Sequence, residues 1–550
     1  MCKNLKILVE IDQKVDKSPY TWFLMPWKIP FLYLIFTSSF LSCVKPDPEL
    51  GRADDLQSLF IHESFSGLTI DTLNTHALPL KILVTSLIFL DHSKNPSSEP
   101  RISRFKEIIK KFGFFYPSEI VNASHIKFDA FLPIGLLRKK VRSILPPVVV
   151  EVTNISCASC HAGPSYSKSG KMEDRLWLGV PNPKIDFESY TTAVYKAMKH
   201  SIKHQEGFFE LLDKLYPDLG FYERFSLKSL IWPLIEDRIQ ALMNTIDRPT
   251  PHLNGAPALT NGVGSLKNLF RILPQDKKAD EFGFTSIPSL ADRMLRSSLL
   301  YDGAYSPPGR EPFRNINRNE VSKLHIKELS KITSYFTIPT IGITTAEVKK
   351  HQNLVNVILS GFHKNAKYPK FPVRIENKKK NRGEKIFNNH CANCHGTYQE
   401  DSLGFTLDNF PNQFSPIEEI ATDPERSKAM DLALTNKING DPNMSEDVFA
   451  SRNSGYVATI LTNIWLTAPY LHNGSVPTLW HLMRPDQRPE SFWVGGPEWD
   501  IDKVGLKSIN GQGTLYDTRE KGKSNKGHSK IFYILNEAEK EDLLEFLKAI

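Results

Sequence analysis

Residues 157–161 read Cys-Ala-Ser-Cys-His and residues 391–395 read Cys-Ala-Asn-Cys-His. Four of the six cysteines in 550 residues therefore sit in two copies of one five-residue phrase. The phrase dictates its own local geometry. On a single helical turn the side chains at i, i+3 and i+4 share a face. Cys157, Cys160 and His161 are thus expected to converge on one point, and Cys391, Cys394 and His395 on another.

Three chemistries use such a convergence. A structural zinc site needs two cysteine pairs about 15–20 residues apart, whereas these pairs lie more than 230 residues apart. A thioredoxin-like redox pair needs a βαβ context and has no use for the histidine. Covalent attachment of a c-type haem needs all three groups, two thiols for the porphyrin vinyl carbons and an adjacent imidazole for the iron. The chain is therefore expected to carry two covalently bound haem c groups. Cys157, Cys160, Cys391 and Cys394 would attach them, with His161 and His395 as proximal iron ligands. The two other cysteines, Cys2 and Cys43, cannot build a disulfide framework around this body.

The N-terminus carries a second signal. From Met25 to Cys43 the chain reads MPWKIPFLYLIFTSSFLSC, with Lys28, an apolar run from Ile29 to Leu41, then Ser42 and Cys43. That is the pattern of an export signal, and its apolar core is too short to span a bilayer. Residues 1–42 are read as this signal, with translation expected to start at Met25. Cys43 at the cut resembles a bacterial lipoprotein site, although Phe40 is unusual there; a plain signal with an incidental cysteine is the alternative. The expected location is the periplasm, the outer membrane or the cell surface, with a lipid anchor to the membrane. A net charge of +8 without an arginine-rich arm or nucleic-acid motif excludes a nucleic-acid partner.

Helical periodicity is read around 101–112, 188–205, 207–216 and 317–336, separated by Pro/Gly-rich loops, with PPVVVEV a short strand candidate before the first motif. The final stretch NEAEKEDLLEFLKAI is amphipathic, with Asn536 as its N-cap. The expected fold is mainly α: an enlarged N-terminal haem domain at 43–365 with long loops, and a C-terminal cytochrome c domain at 366–550. Between them residues 364–385 carry nine Lys or Arg against two Glu, read as a solvated basic linker or, alternatively, as a docking patch for an acidic redox partner or lipid headgroups.

The segments RGEKIFNNHCANCHGTY, NIWLTAPYLHNGSVPTLWHLM, FWVGGPEWDIDKVG and SNKGH, followed by the closing helix, resemble the C-terminal half of the secreted di-haem rubber oxygenases. These belong with the wider bacterial di-haem cytochrome c peroxidase group. The likeness is dense over 380–550 and thinner before it, where the first motif and loops such as LGVPNP fit. It implies a distal histidine for the C-terminal haem near the chain's end, which the SNKGH match assigns to His528, with His472 the runner-up; His481 and Met483 are further candidates. It also implies a reactive N-terminal haem with an aromatic-lined distal side open to a small oxidant. Phe282, Phe284, Tyr301, Tyr305 and Phe313 are candidates for that lining or, equally, core filler. His200 and His204 read as an exposed i, i+4 pair, His125 and His252 stay open as ligands, and Trp177 is a core residue or an electron relay.

The distal ligands decide the function, because a haem closed on both faces passes electrons while an open one does chemistry. The expected function is an exported di-haem oxidoreductase that activates O2 or H2O2 at the N-terminal haem and handles electrons at the C-terminal one, drawing on a redox partner protein. A di-haem cytochrome c peroxidase and a non-catalytic electron-transfer cytochrome are the alternatives.

Overall fold

In the computed structural model, residues 78–143, 148–340, 343–365, 367–401 and 404–550 are described. The export segment, Met25 and Cys43 lie outside them. The described residues all belong to one compact unit. No helix among the described residues is long and apolar enough to cross a membrane.

The β-branched run before the first motif forms strand Val148–Ile155, which pairs antiparallel with Leu136–Ser143 and, at its other edge, with Leu78–Pro79. Beneath this sheet lies helix Leu80–Lys94, whose residues from Leu80 to Ile88 are buried apart from Lys81. A helix apolar on nearly every side belongs inside a core. Helices Arg104–Lys110, Phe187–Lys203, Gln205–Leu215 and Trp232–Thr245 pack around it. A second helical group, Gly262–Leu269, Lys323–Thr340 and Gln352–Asn365, follows.

The C-terminal part is built on two crossed helices, Asn377–His390 and Glu537–Leu547. Residues 377–385 of the basic stretch belong to the first of them. The second starts with the expected Asn536 cap, completed by Glu539 in a reciprocal capping box. Where they cross, Phe387 meets Phe546 at 5.2 Å between ring centroids, and Arg382 reaches the Asp542 carboxylate with two hydrogen bonds of 2.6 and 2.7 Å. Gly383 makes the close approach possible, since a Cβ there would collide with the Asp542 carbonyl. Gly383→Ala is accordingly expected to destabilise the fold by about 1–3 kcal/mol through overpacking. A denaturant midpoint equal to the parent's would show that the helices can part freely.

The expectation of a mainly α fold is not met. Helices hold 43% of the described residues and strands 16%, in eight sheets of two or three strands each. The long connections expected to be irregular fold back on themselves in strands often only two residues long, such as Leu259–Thr260 on Thr285–Ser286. Backbone groups that a buried loop would otherwise leave unpaired are satisfied this way. Packing also crosses residue 366: Tyr166, Leu259, Phe284, Leu295 and Ile316 share one apolar cluster with the C-terminal helix.

Candidate haem-attachment sites

Strand Val148–Ile155 leads straight into the five-residue helix Cys157–His161. The turn closes on Ser156, whose carbonyl accepts from Ser159 N at 3.0 Å and Ser159 Oγ at 2.6 Å. The loop LGVPNP then holds the motif's carbonyls. Gly179 N donates to His161 O and Asn182 N to Cys160 O, both at 2.7 Å, while Asn182 Nδ2 donates to Ser159 O at 3.1 Å. Cys157, Cys160 and His161 are half-buried and line a largely apolar cavity of about 610 Å³, within the usual range for a bound small molecule or cofactor.

Burial dominates the electrostatics here. It pushes the Cys157 and Cys160 thiols up to about 11 and about 12. It pulls His161 down to about 4, assisted by the nearby Arg293 cation, so the imidazole is held neutral and ready to ligate a metal. The Pro288 carbonyl beside its ring is the neighbour that favours the protonated form, and burial outweighs it.

Of the aromatic residues expected to line a distal pocket, Tyr301 does line the cavity, its hydroxyl 2.7 Å from Ser286 Oγ. Phe282, Phe284 and Phe313 do not. Phe282 and Phe284 pack edge to face at 6.0 Å, and Phe313 stacks on Phe414 at 4.9 Å. Tyr305 is fully buried against Phe336. Apolar contact, rather than a ligand, satisfies these rings. The cavity's aromatic wall comes instead from Phe187, Tyr190, Tyr195 and Phe336. Phe187, Tyr190, Val194 and Met198 recur at helical spacing on one helix, so that stripe was the available signal.

Other histidines fall away from the cavity or are engaged. His204 is exposed and stacks near His200 at 4.6 Å, and neither lines the cavity. His125 is exposed. His252 does line the cavity, with Nε2 3.2 Å from Ser265 Oγ. Trp177 donates its indole N–H to Ser165 Oγ at 2.8 Å.

The second motif follows helix Asn377–His390 directly, as the turn Ala392–His395. His395 donates its Nδ1–H to Thr459 O at 2.8 Å, which leaves Nε2 as the ligating nitrogen, the usual way a metal-binding imidazole is oriented. Across from it stands His528, with ring centroids 6.0 Å apart. Two imidazoles each about 2.0 Å from one metal would put their centroids roughly 6 Å apart, so this spacing fits an iron between them. Both rings are kept neutral by burial, His528 down to about 4 with His395 the next cause.

His528 is aimed by its loop. Its N–H donates to Ile420 O at 2.8 Å, and Phe532 packs on its ring at 5.5 Å. Gly527, with φ of +85°, lies so close to the Thr422 backbone that a Cβ would collide with it. Arg488 ties the loop down through hydrogen bonds to Asn525 O at 2.6 Å and Gly527 O at 2.8 Å.

His472 stands elsewhere, stacked on Tyr456 at 4.2 Å and 6.3 Å from Tyr301, with no ring contact to His395. His481 bonds Thr478 Oγ1 at 2.7 Å, and Met483 is fully buried in the C-terminal core. Beside His472 lies a buried ion pair, Asp302 with Arg426, at 2.9 Å and 0% and 2% exposed. Asp302→Asn strands the guanidinium, and a loss of about 3–5 kcal/mol is expected, read as a lower melting temperature. A melting curve that superposes on the parent's would mean that Arg426 finds another anion.

Thr459 is the residue that sequence reading missed entirely. It lines the first cavity and its carbonyl orients His395 at the second cluster. On the chemistry of their donors, two thiols and a neutral imidazole apiece, both clusters fit a covalently attached haem.

Comparison with known proteins agrees at a coarser level. Residues 455–494 match the family described as RoxA-like, cytochrome c-like. The chain is 27% identical over 227 residues to "Uncharacterized protein y4iM" of Sinorhizobium fredii (strain NBRC 101917 / NGR234), covering 32% of this chain and 50% of that protein. It is 47% identical over 75 residues to "Uncharacterized protein y4iJ" of the same organism, covering 13% of each. The chain thus spans half or less of the curated relatives it matches. The family match supports a likeness to RoxA-like di-haem cytochromes, implies covalently bound haem c in one cytochrome c-like domain, and points to a haem-containing oxidoreductase-type protein.

Proposed function

We propose that this chain is a di-haem c-type cytochrome acting as an oxidoreductase, with O2 or H2O2 activated at the Cys157–His161 site and electrons handled at the Cys391–His395 site. The observation that carries this reading is the difference between the two clusters. His395 faces a second imidazole, His528, at 6.0 Å, while His161 faces a cavity of about 610 Å³. A haem held at both clusters would supply redox chemistry at an open iron on one side and electron storage at a closed one on the other.

The chain's own residues divide the remaining work. The thiols fix each porphyrin, and His161 and His395 each offer a neutral imidazole. Apolar walls from Phe187, Tyr190 and Phe336 suit the apolar body of the porphyrin and keep water from it. Tyr301 places a hydroxyl at the cavity surface, a proton donor bonded to Ser286. Thr459 both lines the first cavity and orients His395 through its carbonyl. Export and a lipid anchor at Cys43 belong to the same proposal, as does a redox partner that resupplies electrons.

The test is a titration of the purified protein with cyanide and with peroxide, monitored optically, alongside haem stoichiometry from the pyridine derivative. Two haems per chain, one of which responds to both ligands, is the expected result. Two haems that ignore both would make the chain a simple electron carrier.

A further inference from the structure

Four arginines, Arg238, Arg293, Arg296 and Arg426, line the first cavity, and no aspartate or glutamate does. Three of these cations are accounted for. Arg426 is neutralised by Asp302. Arg296 spends its nitrogens on the carbonyls of Ser298, Ala458 and Leu300 at 3.1, 3.3 and 2.9 Å. Arg238 is exposed to solvent. Arg293 is different: half-buried on the cavity wall, it forms no ion pair or side-chain hydrogen bond among the described residues.

Its position is nevertheless fixed relative to the first motif. Leu290 N donates to Gly179 O at 2.9 Å, and Gly179 N donates in turn to His161 O at 2.7 Å. The adjoining Asp292, with φ of +54°, is held by Thr462 Oγ1 at 2.5 Å and by Arg318. A guanidinium set on the wall of a largely apolar cavity without an anion is unfavourable. Its planar fork suits a carboxylate above other partners.

We propose that Arg293 receives a carboxylate of the molecule that fills this cavity, and that this carboxylate is a propionate of the porphyrin attached at Cys157 and Cys160. The assignment rests on the di-haem reading above. A porphyrin offers an apolar body and two carboxylates, which matches apolar walls that hold cations and no acids. The same chemistry could come from an apolar substrate ending in a carboxylate, and the experiment separates the two.

The holoprotein and its Arg293→Gln and Arg293→Lys variants are titrated spectroelectrochemically. In Arg293→Gln the first haem is expected at a lower midpoint potential than in the parent, because the lost cation disfavoured the oxidised iron; that potential also becomes pH-dependent. Arg293→Lys restores most of the shift. The second haem stays at the parent value in both, which verifies that the variants fold. An unmoved first potential in Arg293→Gln overturns the proposal. So does a saturable spectral change on adding oleate that Arg293→Gln abolishes without moving the potential, which would assign the carboxylate to a substrate. Fewer than two haems per chain in the parent, by the pyridine derivative, strikes instead at the di-haem reading itself.

Discussion

Replacing Cys157 and Cys160 together by serine is expected to remove one haem per chain and to cost the fold much of its stability. The motif turn itself survives the change, since Ser156, Gly179 and Asn182 hold it through backbone groups. What it loses is the contents of its cavity. A largely apolar cavity of about 610 Å³ that loses its apolar occupant has its walls wetted, and at about 25 cal/mol per Å² even ~200 Å² of newly wetted apolar wall costs ~5 kcal/mol, a large share of a domain's net stability. The Phe187–Lys203 and Lys323–Thr340 helices, which contribute to those walls, are expected to close inward and loosen the region. Pyridine-derivative stoichiometry should fall from two haems to one, and the melting temperature by about 10 °C or more. The mirror variant, Cys391→Ser with Cys394→Ser, should keep the ligand-reactive haem and lose the other. Two haems retained in the first variant, or an unshifted melting curve, would remove the basis for placing a haem in that cavity.

Which parts of this arrangement could be read from sequence follows from how each is enforced. The attachment motifs were legible because covalent chemistry fixes five adjacent residues, and the structure sets both on a short helical turn. His528 was reached only through resemblance: its place opposite His395 depends on the Ile420 and Arg488 contacts, which no local pattern announces. The short strands were missed because two residues carry no periodicity to detect. Phe282, Phe284 and Phe313 looked like a pocket by density alone, whereas density of aromatics is equally what a core requires. Thr459 acts through its carbonyl, and a backbone group leaves no mark on residue type.

Removing the His528 side chain should convert the closed site into an open one. In the parent, one haem per chain is expected to bind cyanide; in His528→Ala, two. The loop should not collapse on losing the imidazole, because Arg488 grips Asn525 and Gly527 through their carbonyls and His528 is tied to Ile420 through its own N–H. None of those bonds uses the side chain. The position opposite His395 is therefore left with space and no replacement donor, since Phe532, the next ring in contact, cannot ligate. His472→Ala supplies the contrast. Its ring is stacked on Tyr456, so that variant should lose stability while the count of cyanide-binding haems stays at one. If His528→Ala still binds a single cyanide and His472→Ala binds two, the distal ligand has been assigned to the wrong histidine, and the 6.0 Å approach of His528 to His395 is packing and not coordination.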